Sequence, residues 1–406
     1  MEPTDQDLIK KGSDSIISKI VIEEETDTLS LIYPLIYKDV YRIAYILPLY
    51  LHEIYQDEFV QNKTSKAAQS YYMGVKMALE DSVVTYGINI DAHVFDNSLN
   101  YDSVEHSVLD KVMQDSFDMI VGPFTSEHMN EYNSFSRLSK TPLVSPINIK
   151  EEFLLNPYFI SCRPTINTLK EKSLELLQSN FKNFNIILLC QNDKEVSVFK
   201  EILQKANNSN ESKSIHLLVV NHENWEKAGY LSLLQKDSNL VMVLSSDLVV
   251  INSVVTNLSG RIDIESEKDD TKITLLAPYS WLNNLAVELV MLENLNTHFL
   301  SEPMLDYDDS INIEFIEKYR EMYRTEPDNY AWLGYKSTIM YAQMIIKTGK
   351  YFQRGLLANH AGNDEFQFIC RRNMMGFEKS DIWLFRFEDH KVVRVKEIAG
   401  VESGKE

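Results

Sequence analysis

The sequence predicts an α/β chain folded into two Rossmann-like lobes, each built on a parallel sheet. Three observations carry that prediction. From Tyr41 onward, short apolar runs alternate with longer amphipathic stretches, the rhythm of βαβ units. The rhythm runs through two successive series of similar length. The chain has 406 residues, 44% of them hydrophobic, which suffices for about two cores of ordinary domain size.

The first strand is RIAYILPLY, Arg42 to Tyr50. In the helix that follows, SKAAQSYYMGVKMALEDSV, the spacing of Ala68, Tyr72, Val75, Met77 and Leu79 predicts one buried face, with a stop near Gly87. INIDAHVF, Ile88 to Phe95, is the second strand, Val104 to Gln114 the next helix, and Phe117 to Gly122 the third strand. A helix over Ser126 to Leu138 leads into TPLVSP, whose prolines end that strand by Pro146. The second series starts after residues 157–165, with a helix from Thr165 to Leu177 and a strand from Asn185 to Cys190. Helices Asp193 to Ala206, Trp225 to Leu234 and Leu248 to Leu258 then alternate with strands beginning at Ile215, Leu240 and Lys272. After Ser280 come helical stretches near Leu285 to Leu295 and Ile313 to Tyr323, then YAWLGYKSTIMYAQMIIKTG. The end is strand-like, and the EDH of SDIWLFRFEDHKVVRVKE reads as a hairpin turn. This gives residues 1–40 as an N-terminal appendage or linker, 41–164 plus 285–348 as the first lobe, and 165–284 plus 349–400 as the second.

Composition narrows the function. Sixty acidic against 40 basic residues leave a formal charge of -20, a surface that repels phosphate backbones and anionic headgroups, so nucleic acid is not an expected partner. Cys162, Cys190 and Cys370 lie in apolar runs at spacings that match no disulfide framework or zinc site. No stretch approaches the about 18 apolar residues of a membrane span, so insertion of the chain is not expected. MEPTDQDLIKKGSDS carries no apolar signal core, so the chain reads either as cytoplasmic or as exported with its signal removed. GxSxG, GxxxxGKS, HExxH and GxGxxG are absent, and the nine histidines show no i, i+4 pairing. The expectation is therefore a protein that is no enzyme and holds no cofactor or metal.

Open α/β sheets bind ligands beyond the carboxyl ends of their strands. There the first lobe reads DMIVGPFTSEHMN and TPLVSPINIKEEF. Gly122 permits a tight turn, and Thr125 or Ser126 is placed to cap the next helix and present a hydroxyl to a polar ligand. By the same positional rule Tyr50, Asn97, Phe124, Asn148, Asn192, Ser246, Asp247, Tyr279 and Trp281 should face the cleft. The two last are read either as stacking surfaces for a ligand or as packing between lobes.

IVGPFTS followed by TPLVSPIN, with SYYMGVKMALED upstream, resembles the first lobe of type I periplasmic binding proteins, the group that contains the branched-chain amino acid receptors. YREMYRTEPDNYAWLGYKSTIMYA, Tyr319 to Ala342, is similar to the late helix, Pro and aromatic-rich helix of that family. The ending, GNDEFQF to RRNMMGFEKSDIWLFRF, resembles Bacteroidetes envelope proteins that couple this domain to lysin-motif modules.

The resemblance implies lobes hinged by about three crossovers. It also implies that positions matching Ser126, Ile147 and Ile149, with a second-lobe aromatic near Glu195, hold a ligand's α-carboxylate and amine. Only Ser126 keeps the family's chemistry: Ile149 stands for Thr, Glu195 for the aromatic and Lys336 for an Asp. The implied function is that of an extracytoplasmic solute-binding protein in the periplasm or cell envelope. It closes on a small polar ligand (amino acid, peptide or cell-wall fragment) for transport or sensing, with a membrane transporter or a cell-wall enzyme as partner. The alternative is a ligand-free interaction module regulating a cell-wall enzyme, its cleft plugged by Tyr50, Phe124 or Trp281.

Overall fold

A computed structural model describes residues 32–51, 62–98, 105–126, 128–181, 183–206, 215–221, 223–227, 229–243, 245, 247–265, 271–283, 288–356, 367–370 and 375–395. Two sheets organise them. The first has the order β11-β12-β5-β4-β3-β1-β2. Its strands are β1 (Val40–Leu47), β2 (Asn89–Asp96), β3 (Met119–Val121), β4 (Leu143–Ser145), β5 (Phe159–Ser161), β11 (Phe368–Cys370) and β12 (Phe377–Lys379). The second has the order β14-β13-β10-β9-β8-β6-β7. It comprises β6 (Asn185–Cys190), β7 (Ile215–Val219), β8 (Asp237–Val243), β9 (Thr271–Pro278), β10 (His298–Ser301), β13 (Trp383–Glu388) and β14 (Lys391–Arg394). Only β11 in the first sheet and the β13–β14 pair in the second run antiparallel to their neighbours.

The near-continuous apolar strands are explained by burial on both faces. Along β1, Ile43, Tyr45 and Leu47 enter one core and Ala44 and Ile46 the other, the period of two that a strand imposes. Helix α1 (Lys63–Tyr86) starts where the Asn62 carboxamide accepts from Ser65 N–H at 2.7 Å and stops at Gly87, whose φ is 64°. Its buried face runs through Ala68, Tyr71, Val75, Ala78 and Ser82; Tyr71, not the expected Tyr72, points inward because it lies three residues after Ala68 and four before Val75.

The other helices are α2 (Glu105–Gln114), α3 (Met129–Ser139), α4 (Ile166–Asn180), α5 (Asp193–Ala206), α6 (Leu248–Glu265), α7 (Leu289–Asn294), α8 (Ser310–Tyr323), α9 (Asn329–Thr348) and α10 (Gln353–Leu356). The expected helix at 225–234 is instead a turn and a short 3-10 segment, Tyr230–Leu233. Asn221 and Asn224 satisfy one another's backbone there, so the chain turns rather than winding on. The hairpin at Asp389 and His390 is as expected, both residues having positive φ in a two-residue loop.

Backbone contacts divide the chain into Met1–Thr165 with Met304–Ser380, and Ile166–Pro303 with Asp381–Glu406. The chain thus passes between units three times. These bounds differ from the sequence reading at two places. Residues 288–303 go with the second unit because β10 pairs in parallel with β9. The segment 349–380 goes with the first because β12 pairs in parallel with β5, Ile160 opposite Phe377.

A third difference concerns the N-terminal appendage, whose residues 32–40 belong to the first unit. Tyr33 is 2% exposed, its ring 6.0 Å from Tyr158 and 6.1 Å from Phe377, and its hydroxyl donates to the Pro157 carbonyl at 2.5 Å. Ile36 bridges Gly349, and the Lys38 ammonium lies 2.6 Å from the buried Asp118 carboxylate. Lys350, 3.9 Å from the same carboxylate, has its pKa lowered by burial.

Candidate ligand-binding site

In the first unit the carboxyl edge is built around two devices. Gly122 leaves β3 with φ 107°, and a Cβ there would meet the Ile46 carbonyl oxygen at 2.4 Å, so the close turn requires glycine. Asp96, at the end of β2, accepts from the N–H groups of Leu49, Leu51 and Ser98 at 2.9–3.1 Å and fixes the loop after β1. Tyr50 is held in that loop with φ 56°, its N–H donating to Ser98 Oγ at 3.1 Å.

Neither Thr125 nor Ser126 caps the next helix: α3 begins at Met129 after His128, which makes no side-chain cap bond. The helix begins one turn later than expected, which frees both residues from that duty. Ser126 and Asn148 are exposed, while Ile147 and Ile149 are half-buried against the core. Asn97 is 7% exposed, and its two amide atoms and the Thr125 hydroxyl have no hydrogen-bond partner among the described residues. Phe124 is a core residue instead of a cleft-facing one, its ring edge-on to Tyr71 at 5.0 Å.

The second unit has a recess. At the carboxyl ends of β6, β7 and β8 a depression of about 310 Å3 is lined by Gln191, Asn192, Val220, Asn221, Ser245, Asp247 and Val250. Asn192 caps α5, its Oδ1 accepting from Glu195 N–H at 3.0 Å, while Glu195 Oε2 accepts from Gln191 N–H at 2.8 Å, a reciprocal arrangement close to a capping box. The other Glu195 oxygen meets Lys170 Nζ at 3.1 Å, both side chains being mostly buried. Burial pushes the neighbouring Cys190 thiol up to about 12, Glu195 adding to the shift and Lys170 opposing it.

Asp247 caps α6 by accepting from Val249 N–H at 2.9 Å, and its own N–H donates to Ser245 Oγ at 3.0 Å. Trp281 lies inside this unit, 2% exposed, its Nε1–H donating to the Ser245 carbonyl at 3.0 Å. Buried in this way, it does not offer a stacking face. Tyr279 is half-buried, edge-on to Phe385 at 5.7 Å, and burial raises its pKa.

The structure brings Asn192 and Asp247 into one recess with Gln191, Asn221 and Ser245. Ser246 lies outside the described residues. Asn221 was signalled only by its place one residue past the apolar run IHLLVV. Lys336 stands 5.9 Å over the Trp332 ring. A second depression, about 340 Å3, opens at the amino ends of β1 and β2 between Tyr37, Tyr86 and Ile346. It lies at the end of the sheet where doubly wound folds do not hold ligands. Among the described residues no cluster of three or more His, Cys, Asp or Glu could hold a metal ion, and no helix is long and apolar enough to cross a membrane.

No protein-family profile matches the chain, and no curated protein matches it by sequence. Solved structures do match by fold. A putative branched-chain amino acid ABC transporter protein from Rhodospirillum rubrum superposes with a TM-score of 0.64 at 10% identity, over 88% of this chain and 100% of that one. A branched-chain amino acid ABC transporter periplasmic ligand-binding protein from Burkholderia xenovorans gives 0.59 at 12% identity, over 87% and 94%. An ABC transporter substrate-binding protein from Desulfitobacterium hafniense, in complex with Leu, gives 0.52 at 12%, over 88% and 100%. At these identities the likeness is one of fold: two α/β units arranged in sequence as in type I periplasmic binding proteins.

Proposed function

We propose that this chain is an extracytoplasmic solute-binding protein that closes on a small polar ligand and delivers it for transport or sensing. One observation carries the reading. The recess at the carboxyl ends of β6, β7 and β8 gathers three carboxamides, a hydroxyl and a carboxylate around two valines, on a fold shared with periplasmic ligand-binding proteins. Convergent polar groups in a concave, partly apolar wall are what binding a small solute requires, and GxSxG, GxxxxGKS, HExxH and GxGxxG are absent from the sequence. The periplasm or cell envelope is the proposed location and a membrane transporter the proposed partner.

A free branched-chain amino acid is a poor fit to the first unit. Its α-carboxylate would meet Ile149 where the resemblance implies a Thr hydroxyl, at about 1–3 kcal/mol for each polar group left unpaired. Amino acids, short peptides and cell-wall fragments should be screened by thermal shift. A ligand at 100 times its Kd adds about 2.7 kcal/mol, or roughly 5–10 °C for units of this size. Uniform failure across the panel would retire the solute-binding reading in favour of a docking module.

A further inference from the structure

The hydrogen bonds within the second-unit recess decide what it can offer a ligand, and the inference drawn from them rests on the solute-binding reading above. Asn192 Oδ1 is occupied by Glu195 N–H at 3.0 Å. Asn221 Oδ1 is occupied twice, by Glu223 N–H at 3.0 Å and Asn224 N–H at 3.2 Å. A backbone N–H can pair only with the carbonyl end of a carboxamide, so these bonds fix both amide orientations. What each Asn has left is its NH2 group, for which the described residues supply no partner. Ser245 Oγ accepts from Asp247 N–H, which leaves its own proton to donate. These three donors stand beside the Gln191 carboxamide in one recess of about 310 Å3, close to the amino ends of α5 and α6, whose partial positive charge favours acceptors.

The charges sharpen the choice. Glu195 is neutralised by Lys170, and among the described residues Asp247 is the one formally charged residue lining the recess. Its carboxylate already accepts from Val249 at the start of α6. A ligand carboxylate would match the donors but would be repelled by Asp247. An ammonium would be attracted to Asp247 but would set its N–H groups against two NH2 groups that cannot accept.

We infer that the recess recognises a neutral acyl-amide, whose carbonyl oxygen takes the Asn192 and Asn221 NH2 donors, and not a free amine or acid. An acylated amino sugar and an acylated amino acid share this chemistry.

Calorimetric titration of matched probes tests it: N-acetyl-D-glucosamine against D-glucosamine, and N-acetyl-L-leucinamide against L-leucinamide. The acetylated member of at least one pair should bind about tenfold more tightly than its free amine, the pair telling sugar from peptide. Asn192→Asp and Asn221→Asp keep the oxygen that caps the backbone and replace the donor with an acceptor. Each should weaken the acetylated probe by about tenfold or more while leaving the melting temperature within about one degree. Tighter binding of either free amine, or undiminished binding by both variants, overturns the inference and leaves the solute-binding reading standing. If neither acetylated probe binds, the inference also falls, and the amino-acid and peptide panel then decides whether the wider reading falls with it.

Discussion

Helices α1 and α9 pack so closely that each must present a glycine to the other. A Cβ at Gly74 would sit 1.9 Å from the Ala331 carbonyl oxygen, and one at Gly334 would sit 2.1 Å from the Tyr71 carbonyl oxygen. Ordinary contact begins at 3.4 Å, so Gly74→Ala must part the helices by about 1.5 Å. That separation loosens the contacts of buried Tyr71 and Val75 with α9, including the 3.4 Å approach of the Tyr71 hydroxyl to Ser337 Oγ. A gap of this size forfeits half or more of each dispersion contact, and overpacking of this kind costs about 1–3 kcal/mol. Alanine's better helix propensity returns about 1 kcal/mol, leaving a net loss of roughly 1 kcal/mol. The two glycines report on one gap, so Gly74→Ala with Gly334→Ala should lose distinctly less than the two single losses together. Hydrogen exchange of α1 and α9 peptides across a urea series measures all three variants. Full additivity, or a Gly74→Ala protein as stable as the parent, would refute the close-packing argument.

Other consequences follow from buried groups. Tyr33→Ala should destabilise the first unit by about 3–5 kcal/mol in urea unfolding, since it empties a site walled by Tyr158, Tyr351 and Phe377; no loss would return residues 32–40 to the status of a loose appendage. His298 has its pKa lowered from 6.5, mainly by burial, so the unfolded chain takes up the proton first. Its contribution should be complete above pH 6.5 and decline as pH falls below it; His298→Gln should flatten that part of the second unit's melting curve against pH. Glu195→Gln leaves the Lys170 charge in a mostly buried place and should cost about 3 kcal/mol, with Lys170→Met on top restoring much of it in a thermal melt.

Much of the fold was legible because both sheets advertise themselves through burial. NIILLC has every residue buried and reads as a strand at its observed bounds, Asn185 to Cys190. Chain routing was less legible. Whether Phe377–Lys379 joins the first sheet or the second depends on pairing with Phe159–Ser161, more than 200 residues away, and no local pattern encodes that partner. The candidate site was legible by position and not by role. Asn192 and Asp247 line a recess past strand ends, but Phe124 and Trp281, at equivalent places, turn inward, because a large ring gains more from burial than from an open edge. Asn221, two residues past β7, was not singled out because an asparagine there reads as turn chemistry, which it also performs.

Native mass spectrometry of the protein isolated from its own cells tests the central claim most directly, the claim that the polar recess of the second unit holds a small solute. The parent chain should carry a single low-mass neutral adduct that is lost from the Asn192→Asp, Asn221→Asp double variant. A parent chain without an adduct, or an adduct retained in full by the double variant, would contradict it.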